Sequence, residues 1–356
     1  MDGEYRNIDD YEAAARSRMP RPFYDYFAGG AEDEVTLASN REAYRRIALI
    51  PRVLVDVSNV DTGLELFGQN VAHPVLLAPA AFQCLAHVDG ELATARAARS
   101  TDALLVASTL SNVTIEEIGA VSGPLWFQLY VFRDRELTRS LVQRAEAAGA
   151  TALCLTATVP VQGLRERDAR NRFRLPAGLD MANLRGHTQA TMTTGDGSRL
   201  ASYIADEFDP SLTWDAVDWL CSITSLPVLV KGILSATDAR RAAEYGARGI
   251  IVSNHGGRQL DTAIATLDAL PEVAQAVPDT PVLIDGGIRR GVDVVKAIAL
   301  GARAVLIGRP YLWGLAVRGQ AGVEDVIEQF RQGVVRTMQL LGCTSLQQLD
   351  RSVLAR

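Results

Sequence analysis

Residues 250–261 read IIVSNHGGRQLD. The apolar, β-branched opening describes a short buried strand, and it stops at the only stretch of the chain where histidine, arginine and paired glycines crowd together. His255 can exchange a proton near neutral pH, Arg258 can grip a carboxylate with a two-pronged guanidinium, and Gly256 and Gly257 let a flat ring approach the backbone. Chemistry is therefore expected where this strand ends. Taken alone, the same residues also describe a hydrogen-bonded histidine in a turn beside a solvated arginine, so the surrounding chain has to decide.

Outward from that stretch, eight apolar runs alternate with helical patterns: residues 75–80, 104–109, 126–131, 152–158, 227–233, 249–255, 282–287 and 304–309. Amphipathic stretches fill the gaps, among them 90–100, 135–148, 237–245 and 291–300. Eight βα units predict an α/β fold of the (β/α)8 TIM barrel type. A doubly wound open sheet would want a glycine fingerprint after its first strand, and the APAAFQ that follows the first run does not supply one. One barrel domain is expected over residues 1–356, with residues 1–70 as an N-terminal extension. In that extension a helical pattern covers 8–46, with Asp9 or Asp10 as its cap and a break at Gly29 and Gly30; a hairpin follows around 61–68. Residues 175–200, rich in Gly, Thr and Asn between the fourth and fifth units, read as a mobile lid. A last helix over 323–341 closes the barrel or meets a neighbouring subunit.

Composition narrows the class. With 48% hydrophobic and 22% charged residues, the chain is a globular protein with a large core. Its net charge of −6 is spread rather than blocked, which gives no electrostatic case for nucleic acid or an anionic membrane and leaves a small molecule as the expected partner. Cys84, Cys154, Cys221 and Cys343 lie far apart, so neither a metal site nor a disulfide framework is expected and a reducing cytoplasm fits. The N-terminal stretch is too acidic and polar to read as a signal peptide, and no apolar run is long enough to span a bilayer.

In a barrel, functional residues gather at the C-terminal ends of the strands. Here those ends carry Ser108 and Thr109, Gln128 and Tyr130, Thr156 and Thr158, Lys231, His255 and Arg258, residues 285–289, and Gly308 with Arg309. Together they describe a polar, cation-rich mouth over an apolar core. Asp285, Gly286, Gly287 and Arg289, followed by Gly308 and Arg309, form an anion cradle in the two units where such barrels commonly bind phosphate. Lys231 ends a Val/Leu run, where a bare ammonium is costly to bury, so an anion beside it is expected.

SNHGGRQLD, with LVKGI before it, LIDGGIRRG and LIGRP after it and YDYFAGGAEDE near the N-terminus, resembles the signature of the FMN-dependent 2-hydroxy-acid oxidase and dehydrogenase family. That family includes enzymes acting on glycolate, lactate and mandelate. The resemblance runs from about Tyr11 to the C-terminal region. It implies FMN as cofactor, with Ser108, Gln128 and Thr156 on the flavin ring and the backbone of Ala80 and Ala81 lying against it. Ser253 belongs to the same cofactor set, and Lys231 stabilises the negative charge of the reduced ring. On the substrate side it implies Arg258 on the carboxylate, assisted by Arg165 and Tyr26, Tyr130 on the 2-hydroxyl, and His255 as the base. A homotetramer is implied as well.

One departure matters. The family usually ends its fourth strand with Thr-Val-Asp-x-Pro, whose Asp bonds the catalytic histidine; here the stretch is LTATVP and places Thr158 there. A neutral hydroxyl supplies no counter-charge, and by analogy with loss of a triad Asp the rate cost is on the order of a thousandfold or more. Three readings stay open: a slow or specialised 2-hydroxy-acid oxidase, an FMN scaffold redirected to oxidative decarboxylation or to another 2-oxygenated or 2-amino acid, and a flavin-binding protein without turnover. The third predicts loss of His255 or Arg258, and both are present. Leu110 stands where the glycolate-oxidising members carry a tryptophan, which leaves room for a larger side chain on the substrate.

Overall fold

The structure, a computed structural model, describes residues 5–186 and 207–355. Three helices come first, α1 (Ile8–Arg18), α2 (Arg21–Ala28) and α3 (Val35–Arg45). Asn7, rather than Asp9 or Asp10, caps α1: its side chain accepts from the backbone N–H of both aspartates. Their carboxylates then lie in the first turn, where the helix dipole favours negative charge. The hairpin pairs β1 (Leu64–Leu66) with β2 (Gln69–Val71). Phe67 and Gly68 at its tip both take positive φ, as a two-residue primed turn requires.

The next eight strands are β3 (Val75–Leu77), β4 (Leu105–Ser108), β5 (Leu125–Leu129), β6 (Leu153–Thr156), β7 (Val228–Ile233), β8 (Gly249–Val252), β9 (Val282–Asp285) and β10 (Ala304–Ile307). They close into a parallel barrel in the order β10-β3-β4-β5-β6-β7-β8-β9. The expected (β/α)8 barrel is thus present. Around it run α4 (Gly90–Ser100), α5 (Ile115–Val121), α6 (Arg135–Ala147), α7 (Glu166–Arg170), α8 (Asp215–Ile223), α9 (Ala236–Glu244), α10 (Thr266–Ala276), α11 (Gly291–Ala299), α12 (Arg309–Arg318) and α13 (Gln320–Leu341). Except for β7, every strand leaves its ladder before its apolar run ends, because the last residues turn into the mouth. Within β7 the pairing with β8 slips between Lys231 and Ile233, a bulge at Gly232 whose φ is 121°. Such bulges re-aim side chains beside active sites.

The N-terminal helices clasp the loop after β8. Asn40 of α3 and Asn254 exchange two amide hydrogen bonds of 2.9 and 2.8 Å. Asp261 accepts from the N–H groups of Val35 and Thr36 and so caps α3 from across the molecule. At Gly257, φ is 72° and an added Cβ would lie 2.7 Å from the Leu37 nitrogen, so only glycine fits there. The first part of the expected lid is tied down as well: Asn112 donates to the Asp180 carbonyl, Ala182 N–H donates to Ser111, and buried Asn183 bonds Ser111 and Ile115. Residues 187–200 lie outside the described residues. No helix among the described residues is long and apolar enough to cross a membrane.

α11 and α13 cross so closely that a Cβ on Gly291 would fall 2.1 Å from the Gly333 carbonyl carbon. Gly291→Ala is expected to destabilise the fold by about 1–3 kcal/mol, the usual scale of overpacking, read as a lower urea midpoint at unchanged slope.

Candidate active site

The loop after β8 sets the geometry. His255 has φ 57°, Gly256 64° and Gly257 72°, a run of three left-handed residues that turns the imidazole into the mouth. Histidine tolerates that region better than most side chains. Two bonds hold it: the His255 N–H donates to Ser253 Oγ at 3.1 Å, and Nδ1 lies 2.8 Å from Thr158 Oγ1. Nε2 makes no hydrogen bond among the described residues.

On one side of His255 the strand ends carry donors without acceptors. Gln128 points its amide oxygen at Ser108 Oγ and the Thr109 N–H, which leaves its Nε2 buried and unpartnered. Lys231 is not a bare ammonium: its Nζ lies 2.6 Å from Asp285 Oδ2 and donates to Ser253 Oγ at 2.8 Å. The anion expected beside it is thus supplied by the protein, and Asp285 serves as that counter-charge within the proposed cradle. Ser253 is fully buried behind the cleft wall and holds Lys231 and His255 in place. Further round, Gly286 and Gly287 take φ of 93° and 80°, Arg289 keeps a buried unpartnered Nε, and Gly308 precedes the N-terminus of α12. Arg309 is largely committed to the fold: its guanidinium donates to the carbonyls of Phe27, Gly29 and Gly256.

On the other side lie Arg258, Arg165, Tyr26 and Tyr130. Arg258 uses Nη1 on the carbonyls of Tyr26 and Gly29 and sits 5.1 Å over the Tyr26 ring; its Nε and Nη2 keep no partner among the described residues. Arg165 keeps a buried unpartnered Nε. Tyr26 stacks on Phe173 at 4.5 Å and Tyr130 on Phe208 at 4.4 Å, which fixes both phenols. Burial pushes both phenols above their usual range, so they stay neutral donors. Leu110, Val159, Phe82 and Phe208 complete an apolar wall.

Of the residues expected to hold cofactor or substrate, all except Ser253 line this one cleft, while Thr109 and Thr158 at the strand ends do not. The wall carries five cationic side chains, Arg165, Lys231, Arg258, Arg289 and Arg309, against one carboxylate, Asp285. Burial brings Arg258 down to about 10 and Arg309 to about 9, still charged at neutral pH. His255 is held well below the usual histidine range, first by burial and then by Lys231, Arg165, Arg258 and Arg309. Phe208 gave no sequence signal: it lies far from Tyr130 along the chain and meets it only because Phe132 and Phe208 bridge.

These features fit a flavin mononucleotide. The orphaned Gln128 amide suits a ring carbonyl, while Arg289, the glycine turns and the start of α12 suit a phosphate. Fold and site together define an α/β-barrel flavin oxidoreductase. A family model described as FMN-dependent dehydrogenase matches residues 15–356. The chain is 52% identical over 355 residues to an L-lactate oxidase of Nostoc sp., covering 98% of this chain and 97% of that one. It is 47% identical over 354 residues to a glycolate oxidase of Spinacia oleracea, covering 99% and 96%. A solved mandelate oxidase with (S)-4-hydroxymandelic acid superposes with a TM-score of 0.94 at 46% identity, over 99% of this chain and 98% of that one. The chain belongs to the FMN-dependent dehydrogenase family and takes FMN as its cofactor.

Lys231 and Asp285 hold each other's charge, with Asp285 Oδ1 left buried and without a partner. Lys231→Met leaves a buried carboxylate uncompensated and is expected to cost about 3–5 kcal/mol. Lys231→Met with Asp285→Asn should recover much of that loss, in a urea double-mutant cycle on the FMN-loaded protein.

Proposed function

We propose that this chain oxidises a 2-hydroxy acid to the 2-oxo acid. The observation that carries the reading is the pairing, in one cleft, of an unpartnered His255 Nε2 with the unpartnered Nε and Nη2 of Arg258. One is a base and the other a fork for a carboxylate. FMN, when bound, supplies the chemistry of accepting two electrons and a hydrogen from the substrate carbon. The protein does the rest. Arg258 grips the carboxylate, with Arg165 and the Tyr26 phenol beside it. The Tyr130 phenol donates to the oxygen of the 2-hydroxyl, and His255 takes that hydroxyl proton at Nε2. Lys231, fixed by Ser253 and Asp285, keeps a positive charge on the cofactor side, where negative charge grows. Lactate, glycolate and mandelate are all 2-hydroxy acids, and the relatives named for them support this reading over a redirected or non-catalytic flavoprotein. The relatives' names likewise favour dioxygen as electron acceptor.

The apolar wall of Leu110, Val159, Phe82 and Phe208 favours an acid with a bulky apolar or aromatic side chain over glycolate. We place the enzyme in the cytoplasm as a homotetramer. Four free cysteines support a reducing compartment, and Val53 and Leu54, 81% and 103% exposed, support a covered face between subunits. Light scattering on the eluted protein reads the oligomer.

Mixed anaerobically with a panel of 2-hydroxy acids, the purified protein should lose its flavin absorbance fastest with a bulky acid. His255→Gln should slow that bleaching by about 10²–10⁴-fold, the usual contribution of a general base. Leu110→Trp should turn the preference toward glycolate; equal rates with glycolate and a bulky acid in the parent enzyme would refute the pocket assignment.

A further inference from the structure

Among the described residues, Thr158 is the one that hydrogen-bonds the His255 ring. Its Oγ1 lies 2.8 Å from Nδ1 and makes no other hydrogen bond among the described residues. The contact is built rather than incidental. Thr158 follows the end of β6 and packs on the bulge of β7, where a Cβ on Gly232 would fall 2.3 Å from Thr158 Cγ2. Its carbonyl accepts from Gln259 Nε2, which also donates to the Val161 carbonyl and whose Oε1 accepts from the Gly163 N–H. The turn that carries Thr158 is thus pinned to the turn that carries His255. A bulge, a glycine and a glutamine serve one hydroxyl.

A hydroxyl can accept from Nδ1–H or donate to a bare Nδ1, so the distance alone leaves the proton's place open. The surroundings keep the ring at one proton. Lys231 from β7, Arg165 before α7, Arg258 from the same loop and Arg309 at the start of α12 all act on the ring. The phenols of Tyr26 from α2 and Tyr130 after β5 line the same cleft, and Asp285 of β9 is engaged with Lys231. A cluster of cations disfavours a second proton on the ring. Nε2 has no partner among the described residues while Nδ1 has Thr158 Oγ1 at 2.8 Å, an arrangement that a single ring proton satisfies when it sits on Nδ1 and is accepted by the hydroxyl.

We propose that Thr158 is a positioning residue that fixes neutral His255 with its proton on Nδ1 and its lone pair on Nε2, while giving the protonated ring no counter-charge. A carboxylate in that place would do both jobs. Thr158 does only the first. The proposal rests on the reading of His255 as the base for a 2-hydroxy acid. A base must be neutral to act, and a ring held below the usual histidine range stays neutral as pH falls. The acid limb of kcat/KM, which reports the free enzyme, is thus expected well below about pH 6.5, the ordinary histidine value.

The test uses the FMN-loaded protein and three substitutions. Thr158→Asp adds a negative charge beside the ring and should move the acid limb of kcat/KM up by about 1–3 pH units, with a plateau about tenfold or more higher. Thr158→Asn, of similar shape and neutral, should leave the limb where it is. Thr158→Val removes the hydroxyl and should lower kcat about tenfold or more, with KM little changed, since the fraction of the competent tautomer falls. With only four histidines in the chain, ¹⁵N-histidine NMR reads the tautomer independently of turnover. The expected spectrum is a neutral ring protonated at Nδ1 in the parent and a mixture in Thr158→Val. A parent ring protonated at Nε2, or an acid limb that Thr158→Asp leaves unmoved, overturns the proposal. If no 2-hydroxy acid bleaches the flavin in any variant, the functional reading fails, and the NMR spectrum still decides the tautomer.

Discussion

Positive charge held out of water is the constraint around which the mouth of this barrel is built. Five cationic side chains face one cleft with a single carboxylate among them, and each must be held without cancelling the field that attracts an anionic cofactor and an anionic acid. The solutions differ by position. Lys231 takes a full counter-charge from Asp285. Arg309 spreads its charge over three backbone carbonyls, two of them from the N-terminal segment. Arg258 combines two carbonyls with the face of Tyr26 and keeps the other edge of its fork free.

Holding the cations this way also holds the fold. The carbonyls that receive Arg258 and Arg309 belong to Tyr26, Phe27 and Gly29, at the end of α2, so the same guanidinium groups staple the N-terminal helices over the barrel mouth. From the other direction, Asn40 and Asp261 fix the loop after β8 against α3. His255 keeps its left-handed backbone because it is trapped between these two sets of bonds and Ser253. Stability and chemistry therefore share residues here, and a change in the clasp reaches the base.

Much of this was legible in the chain because the signal was periodic or local. Eight apolar runs gave eight strands, and most of the polar residues at their ends converge on one cleft, Thr109 and Thr158 excepted. His255, Arg258 and their glycines sit within a few positions of one another, and the spacing alone suggested a base beside an anion holder. What stayed hidden depends on contacts between distant segments. No local pattern could show that Asp285 would neutralise Lys231, that Ser253 would sit behind the cleft, or that Arg309 would be spent on carbonyls from α2. Phe208 was missed for the same reason, since its stacking on Tyr130 is fixed by a bridge across the molecule. The cap of α1 was misplaced by two or three residues because Asn7, Asp9 and Asp10 are all good caps, and only geometry tells which one turns back on the helix.

The absence of a carboxylate at Thr158 also bears on how binding and chemistry are linked. Among the described residues no carboxylate bonds the His255 ring, while several cations oppose a proton on it. Under the proposed function a bound acid changes that balance, since its carboxylate would be drawn to Arg258, in the same cleft as the imidazole. An anion there partly offsets the surrounding cations and makes the ring a stronger base. On the proposed reading, the carboxylate that positions the substrate also helps His255 accept its proton, while in the empty site the ring stays neutral. A fixed aspartate would supply that help all the time, at the risk of protonating the base before the acid arrives. Thr158 leaves the help to the substrate.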